Sequence, residues 1–457
     1  MINIYSFSQH ACMDAFVFKV MGTAQTESKA SEILLCMTPF KNLSMRSVYL
    51  KTRFRGGVIY TVYKELINCP PDGYQFVVER PEPMQQPPPM SELNKNRLLI
   101  YKFDKKIKDL PYVREIWHEA KTFPYLALKR IQSHWSSYEV EADLVYSSQQ
   151  LTFAKLPWVV DLEFANALVN YGDIRLVRKI VQKALTSKYC KKIMPWSEWA
   201  ERTLYRSVNC NFFKEKIETV HFAVKPKDFV KEKKDGKLRL LFVGSINELN
   251  FLDFEGKGGF EVVEAFLELN KKYDELELVI RSWVPPEILD KCSKNPNIKI
   301  LYSPLSDEEL AHLYASSDIF MFPAHKSLGM VILEAMSYEL PVIARAIYNA
   351  TEPIKDMKTG ILLSPLPQLP YYTWNGAPND HDVNLLFGIR KHRPLLVKQI
   401  VEKASLLIED SSLRRRIGRE ARCLIEEGDF STKNRNKKLK RIFDEALKDN
   451  QYFCRSR

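Results

Sequence analysis

"DIFMFPAHKSLGMVILEAMSYELPVIARA", residues 318–346, contains a strand, a loop, a helix and a second strand in one short span. The apolar run "DIFMFPA" does not alternate with polar residues, which is how a strand covered on both faces reads. The loop after it is built of small residues around Gly329, and "LGMVILEAMSY" then follows as an apolar helix with a single acid, Glu334, about one turn inside. "PVIARA" is the next buried strand. Strand, helix and strand in this order are a βαβ unit, whose two strands lie parallel in one sheet.

The same alternation extends upstream. "LRLLFVGS", "LELVIRS" and "IKILYSP" read as strands, with helical stretches "GGFEVVEAFLELNKKY", "PPEILDKCSKN" and "SDEELAHLYASS" between them. Five strands with intervening helices in about a hundred residues predict a doubly wound, Rossmann-like domain. Ahead of it, "HFAVKPKDFVKEKKDGK" (221–237) loses apolar residues and gathers lysines, so the domain boundary falls there. After "GILLSPL", residues 367–394 are too irregular for a regular element and longer than an ordinary connection, which predicts a functional or appended loop. Two helices (395–410 and 412–428) and a basic tail helix (431–449) close the chain.

The first half reads less cleanly. Residues 1–45 have no clear period and are taken as a cap or extension. A strand at 47–51 leads through Gly56 and Gly57 into a helix, and the proline-rich stretch 79–96 can be neither strand nor helix interior. Then come a strand "RLLIYKF", a long aromatic and basic helix at 112–135, and strands in "ADLVYSS" and "LPWVVDLE". This too predicts a parallel sheet covered on both faces. The predicted domains are 1–230 on the acceptor side, 231–430, and a basic C-terminal helix at 431–457 packing back toward the first.

Composition sets outer limits. With 45% hydrophobic and 27% charged residues in 457, the chain is ordinary globular protein of two or three domains. Its eight cysteines include no C-x-x-C pair and follow no signal-peptide pattern, which predicts reduced thiols in the cytoplasm and no structural metal. A formal net charge of +12 reads either as basic side chains that keep a large protein soluble or as a field for an anionic partner, whether nucleic acid, a phosphorylated substrate or an acidic membrane face. Nucleic acid is set aside because none of the usual recognition motifs is present. Within the aromatic and basic helix at 112–135, "FPYLALKRIQSHW" (123–135) reads first as a core-facing amphipathic helix and, as the alternative, as one lying peripherally on an anionic membrane.

In an open α/β sheet ligands collect at the carboxyl ends of the strands, where helix N-termini present unpaired amides. Three loops of the second domain qualify. "FVGS" carries Gly244 and Ser245, "GKGGF" carries Lys257, and "HKSLGM" carries Ser327, Leu328, Gly329 and Met330. Small residues let main-chain amides approach a diphosphate, a lysine supplies charge, and Glu334 could accept hydrogen bonds from the vicinal hydroxyls of a ribose. Singly, Gly329 also reads as a packing glycine, Lys257 as a surface lysine and Glu334 as a first-turn acid.

Taken together, "LLFVGS", "GKGGFEVVEAFLEL", "LSDEELAHLYASSDIFMFPAHKSLGMVILEAMSYELPVIA" and "KTGILLSPL" resemble the donor-binding half of the retaining, nucleotide-sugar-dependent group 1 glycosyltransferases. The resemblance implies the α/β GT-B fold, two Rossmann-like doubly wound domains facing each other across a cleft. It implies a nucleotide diphosphate sugar as substrate, its diphosphate on Lys257 and the amides of 327–330 and its ribose on Glu334. It also implies a retaining, hexosyltransferase-type reaction with no metal or other cofactor, on a glycan or lipid-linked acceptor. Two positions depart from the family pattern. The first of its two glutamates, separated from the second by seven residues, falls here on Lys326. The usual arginine after "FVG" is Ser245. Lys326 could contact the donor differently, for instance an acidic sugar; His325 or Arg281 could compensate; or the chain could bind donor and turn over poorly.

In the first half "RGGV" (Arg55, Gly56, Gly57) resembles the family's first glycine loop. Where the family often has a histidine after the strand "LPWVVDLE", this chain has Glu163, with Asp161 two residues earlier. Alternation puts both carboxylates on one face, where either could bond the donor sugar or accept the acceptor's proton, or simply cap a turn. The candidate catalytic set is therefore Glu163, Asp161, Lys257 and Lys326. The alternative function is a catalytically weak nucleotide-sugar-binding scaffold of the same fold.

Overall fold

The computed structural model describes residues 45–51, 54–55, 58–59, 61–78, 142–231, 236–245, 251–326, 329–379 and 382–454. The N-terminal extension, Gly56, Gly57, the proline-rich stretch, the strand 97–103, the helix 112–135, Ser327 and Leu328 lie outside the described residues.

The first domain holds β1 (Arg46–Lys51), a two-stranded ribbon of β2 (Phe54–Arg55) and β3 (Val58–Ile59), then β4 (Tyr74–Val78), β5 (Leu144–Ser148), β6 (Trp158–Leu162) and β7 (Cys190–Pro195). Apart from the ribbon, these form one parallel sheet in the order β4-β1-β5-β6-β7. Every residue of β5 and β6 is buried, which explains their uninterrupted apolar character. Strands β4 and β7 and the helix Arg178–Thr186 carry weaker signals: "CKKIMP" places two lysines mid-strand, and "YQFVV" is too short to show a period.

The second domain holds β8 (Leu238–Val243), β9 (Leu276–Arg281), β10 (Ile298–Leu301), β11 (Ile319–Phe322), β12 (Val342–Arg345) and β13 (Ile361–Leu363), all parallel. Their order, β10-β9-β8-β11-β12-β13, is that of a dinucleotide-type doubly wound sheet. The order reverses between β8 and β11. There the connections leave toward opposite faces and open a crevice beyond the strand ends.

Sequence and structure differ at 383–394. This part of the irregular stretch is the beginning of a continuous helix, Val383–Glu409, with Pro394 in its interior. The Asp382 side chain accepts from the amide of Asn384 at its start, and Leu385, Ile389, Leu396, Val397, Ile400, Ala404 and Leu407 bury one stripe. That stripe outweighs the one hydrogen bond that an exposed proline removes. The preceding loop docks on the first domain: Trp199 Nε1 donates to Gly376 O (3.0 Å), Asn375 Nδ2 donates to Asn166 Oδ1 (2.8 Å) and Ser207 Oγ (2.7 Å), and Arg175 and Arg178 lie over the Trp374 ring. Glu352 of the second domain accepts from the amides of Glu198 and Trp199 (3.0 and 2.9 Å), filling free donors at the start of the helix Glu198–Ser207.

The helix Thr432–Cys454 crosses back to the first sheet. Its Leu439, Ile442, Phe443, Ala446 and Leu447 pack with Val48, Leu50, Tyr74, Leu144 and Tyr146, and Tyr74 OH donates to Asp444 at 2.7 Å. Residues 46–457 accordingly form one compact unit.

Candidate active site

At the crevice of the second sheet, the turn after β8 and the turn after β11 are pressed together, and glycines allow it. Gly258 has φ +81°, and a Cβ there would meet Pro323 O at 2.6 Å. A Cβ on Gly256 would meet Lys326 Cε at 2.6 Å, so the lysine stem lies directly over that glycine. This close approach brings Lys257 and Lys326 together on one acid that the sequence reading overlooked. Asp253, in the short helix Phe251–Gly256, holds Lys257 Nζ at 2.9 Å and Lys326 Nζ at 3.0 Å, one on each oxygen. Burial raises the Asp253 pKa, but the two ammonium groups outweigh it and draw the carboxyl down to about 2. The i,i+4 spacing of Asp253 and Lys257 was visible in the sequence as a helix pair; Lys326 completing the triad was not.

Beside this cluster the helix Met330–Ser337 begins at Gly329 (φ −98°, ψ 179°) with no side-chain cap. Gly329 is exposed, and the direction a Cβ would take is open space. Met330 turns inward to the core. The first amides of this helix are thus unfilled by side chains and available to an anion.

Glu334, one turn on, is half-buried. Tyr314 OH donates to its Oε2 at 3.1 Å. Burial pushes the Glu334 pKa up; the Tyr314 bond, Lys227 and Arg281 pull it down, while Glu65 of the first domain pushes it up. Arg281 ends β9, opposite Val243 of β8, and its Nε has no hydrogen-bond partner. The expected site residues therefore fall into two clusters: Lys257 and Lys326 on Asp253, and Glu334 with Tyr314 and Arg281.

Gly244 and Ser245 follow β8 beside Arg281. Gly244 N donates to Arg281 O (2.8 Å), and Trp283 N donates to Ser245 O (3.0 Å). A Cβ on Gly244 would sit 2.0 Å from Ser282 Oγ, so this glycine is required by packing between strand ends.

Two expected residues are placed elsewhere. His325 is 3% exposed, turned inward by its amide bond to Gly256 O (2.8 Å). Its ring lies between the Arg345 guanidinium and Glu261, with Nε2 3.4 Å from Glu261 Oε1. Burial and Arg345 lower its pKa, so it is a neutral member of a buried network and is not presented to a donor. That network continues to Glu255, which Arg390 grips with two bonds of 2.8 Å and Arg393 with one of 2.9 Å. No local spacing could reveal these pairs, since more than 130 residues separate their members.

Asp161 is the other. It is 1% exposed and accepts from Tyr63 OH (3.1 Å), Tyr146 OH (3.0 Å), Trp196 Nε1 (2.9 Å) and the Gln149 amide (2.8 Å). With its oxygens occupied by protein donors, it is enclosed in the first domain and does not share a reactive face with Glu163. Glu163, just past β6, is half-buried and accepts from Tyr171 OH at 3.4 Å. Arg55 lies in the ribbon strand β2.

Among the described residues no three of His, Cys, Asp and Glu are grouped to hold a metal, and no helix is long and apolar enough to cross a membrane.

Two parallel-sheet domains with these orders define the class: the fold is GT-B. The match to solved structures agrees. Sucrose-phosphate synthase from Thermosynechococcus elongatus aligns with a TM-score of 0.54 at 13% identity, covering 88% of this chain and 100% of that one. Anabaena HepE in complex with UDP-glucose aligns with a TM-score of 0.52 at 12% identity, covering 88% and 99%. Within that class, residues 224–367, most of them in the second domain, match the family model "Glycosyl transferases group 1". The capsular polysaccharide biosynthesis glycosyltransferase CapM of Staphylococcus aureus is 26% identical over 202 residues, which are 43% of this chain and 44% of that protein. The chain thus spans under half the length of this relative.

Proposed function

We propose that the protein transfers a sugar from a nucleotide diphosphate carrier to a hydroxyl of a glycan or lipid-linked acceptor. The observation that carries this reading is the pairing of two lysines with an uncapped helix start at the reversal point of the second sheet. Ammonium groups and main-chain amides stabilise a departing diphosphate without a metal ion. Glu334 takes the ribose hydroxyls, and Arg281, whose Nε has no hydrogen-bond partner, supplies the positive charge that Ser245 lacks. Glu163 is the candidate from the first domain to meet the sugar or the acceptor. Transfer proceeds with retention, in keeping with the family resemblance.

Lys326 shares Asp253 with Lys257, so the cluster of three keeps one net positive charge. HepE, which has been crystallised with UDP-glucose, suggests the first probe. Titration calorimetry with UDP and UDP-glucose in EDTA, followed by donor hydrolysis, tests the proposal: micromolar binding and turnover are expected, and absence of nucleotide binding overturns it. Binding without turnover on any donor would instead select the scaffold reading, which the Lys326 and Ser245 departures keep in play. A peripheral position on an anionic cytoplasmic membrane face is checked by liposome flotation at low salt; no flotation removes it.

A further inference from the structure

The two lysines that would grip a diphosphate are already occupied. Asp253 binds one with each oxygen, is 9% exposed, and sits on a helix held rigidly from behind. Phe254 next to it is buried in the core, and Glu255 is fixed by Arg390 and Arg393. The lysine side chains are freer: that of Lys257 is 25% exposed and that of Lys326 37%, both on flexible four-carbon stems. Asp253 is therefore the stationary partner, and the ammonium groups are the parts able to move.

We propose that Asp253 is a resident counter-ion that competes with the nucleoside diphosphate for Lys257 and Lys326, and so sets how tightly the product is held. This rests on the reading of the crevice as a nucleotide-sugar site. A site with two lysines and no acid would bind a diphosphate strongly and release it slowly. A fixed carboxylate lowers the net charge of the cluster from +2 to +1 and offers the lysines a place to return when the nucleotide leaves. In a half-buried site one unit charge within a few ångströms is strong enough to shift anion affinity by about tenfold. The same carboxylate keeps two like charges together in the empty protein, where they would otherwise repel.

The test measures UDP and inorganic pyrophosphate binding by calorimetry at low and high salt, for the wild-type protein and Asp253→Asn. The amide keeps the shape and removes the charge. Expected is a Kd about tenfold lower for both probes in the variant, with the gain shrinking as salt screens it. Asp253→Ser gives the same reading should the amide variant fail to fold. UDP bound by the wild type as tightly as, or tighter than, by the variants overturns the counter-ion role and leaves the transferase reading standing. UDP bound by none of them overturns both.

Discussion

Asp161 and Asp253 are two buried aspartates at the ends of comparable α/β units, and the protein treats them oppositely. Asp161 is surrounded by neutral donors, two tyrosine hydroxyls, an indole and an amide, and burial drives its pKa from 3.8 up to about 6. Asp253 is almost as enclosed, but its partners are cations, and its pKa falls to about 2. Hydrogen bonds from neutral groups satisfy oxygen lone pairs yet do not cancel a buried charge, whereas ammonium groups do both. Only the second arrangement leaves charged groups able to engage an incoming anion. The first is a device for holding β5, β6 and the helix Thr61–Asn68 together.

The sharpest way to break this comparison is Lys257→Met. Removing the charge that would steady the departing diphosphate is expected to lower donor hydrolysis by a hundredfold or more, roughly 2.7 kcal/mol of transition-state stabilisation. Rates within threefold of wild type would make Lys257 a surface lysine. Its fold should survive, which a melting curve checks.

The next largest effect is on stability and pH. Asp161 is an acid whose pKa is raised by folding, so its contribution is fullest below about pH 4 and is lost as the pH rises through about 6. The interval corresponds to on the order of 2–3 kcal/mol. Asp253 runs the other way: its contribution is present above pH 3.8 and is lost as the pH falls toward 2. The Tm difference between wild type and Asp161→Asn is therefore expected to favour wild type more at pH 4.5 than at pH 7.5. A difference independent of pH over that range would mean Asp161 does not titrate there.

A smaller effect is expected for Tyr314→Phe, which deletes the hydroxyl that donates to Glu334. One lost hydrogen bond to a carboxylate costs about 1–2 kcal/mol and should weaken UDP binding severalfold, more so at acidic pH because Glu334 then protonates more readily. Unchanged affinity separates Glu334 from the ribose. Least of all should come from Lys64→Ala. Lys64 and Asp307 bridge the two domains at 2.8 Å, but their side chains are 51% and 85% exposed, so the loss should stay under about 0.5 kcal/mol and the Tm should hardly move.

Legibility followed range. The second sheet could be read because its strands are short apolar runs separated by helical stretches, one of which, Asp307–Ala315, starts at a Ser306–Glu309 capping box. The start of Val383–Glu409 was hidden by Pro394 and a glycine-containing loop, and only the buried stripe against the second domain makes it helical. Lys257 and Glu334 stood out as chemistry at strand ends. Asp253 did not, because its importance depends on Lys326 arriving from 73 residues away. His325 misled for the converse reason: its place in the chain puts it at the site, while a main-chain bond to Gly256 turns its ring into the core.

By itself the sequence determined the α/β class and the alternation of strands and helices in the second sheet, because hydrophobic period, glycine spacing and helix starts are local properties written within a dozen residues. The tertiary structure alone decided which charges meet. It buried Asp161 among neutral donors, set Asp253 between two lysines, and closed His325, Glu261 and Arg345 into the interior. Electrostatic character depends on partners and on exclusion of water, and both are fixed by chain segments far apart in the sequence.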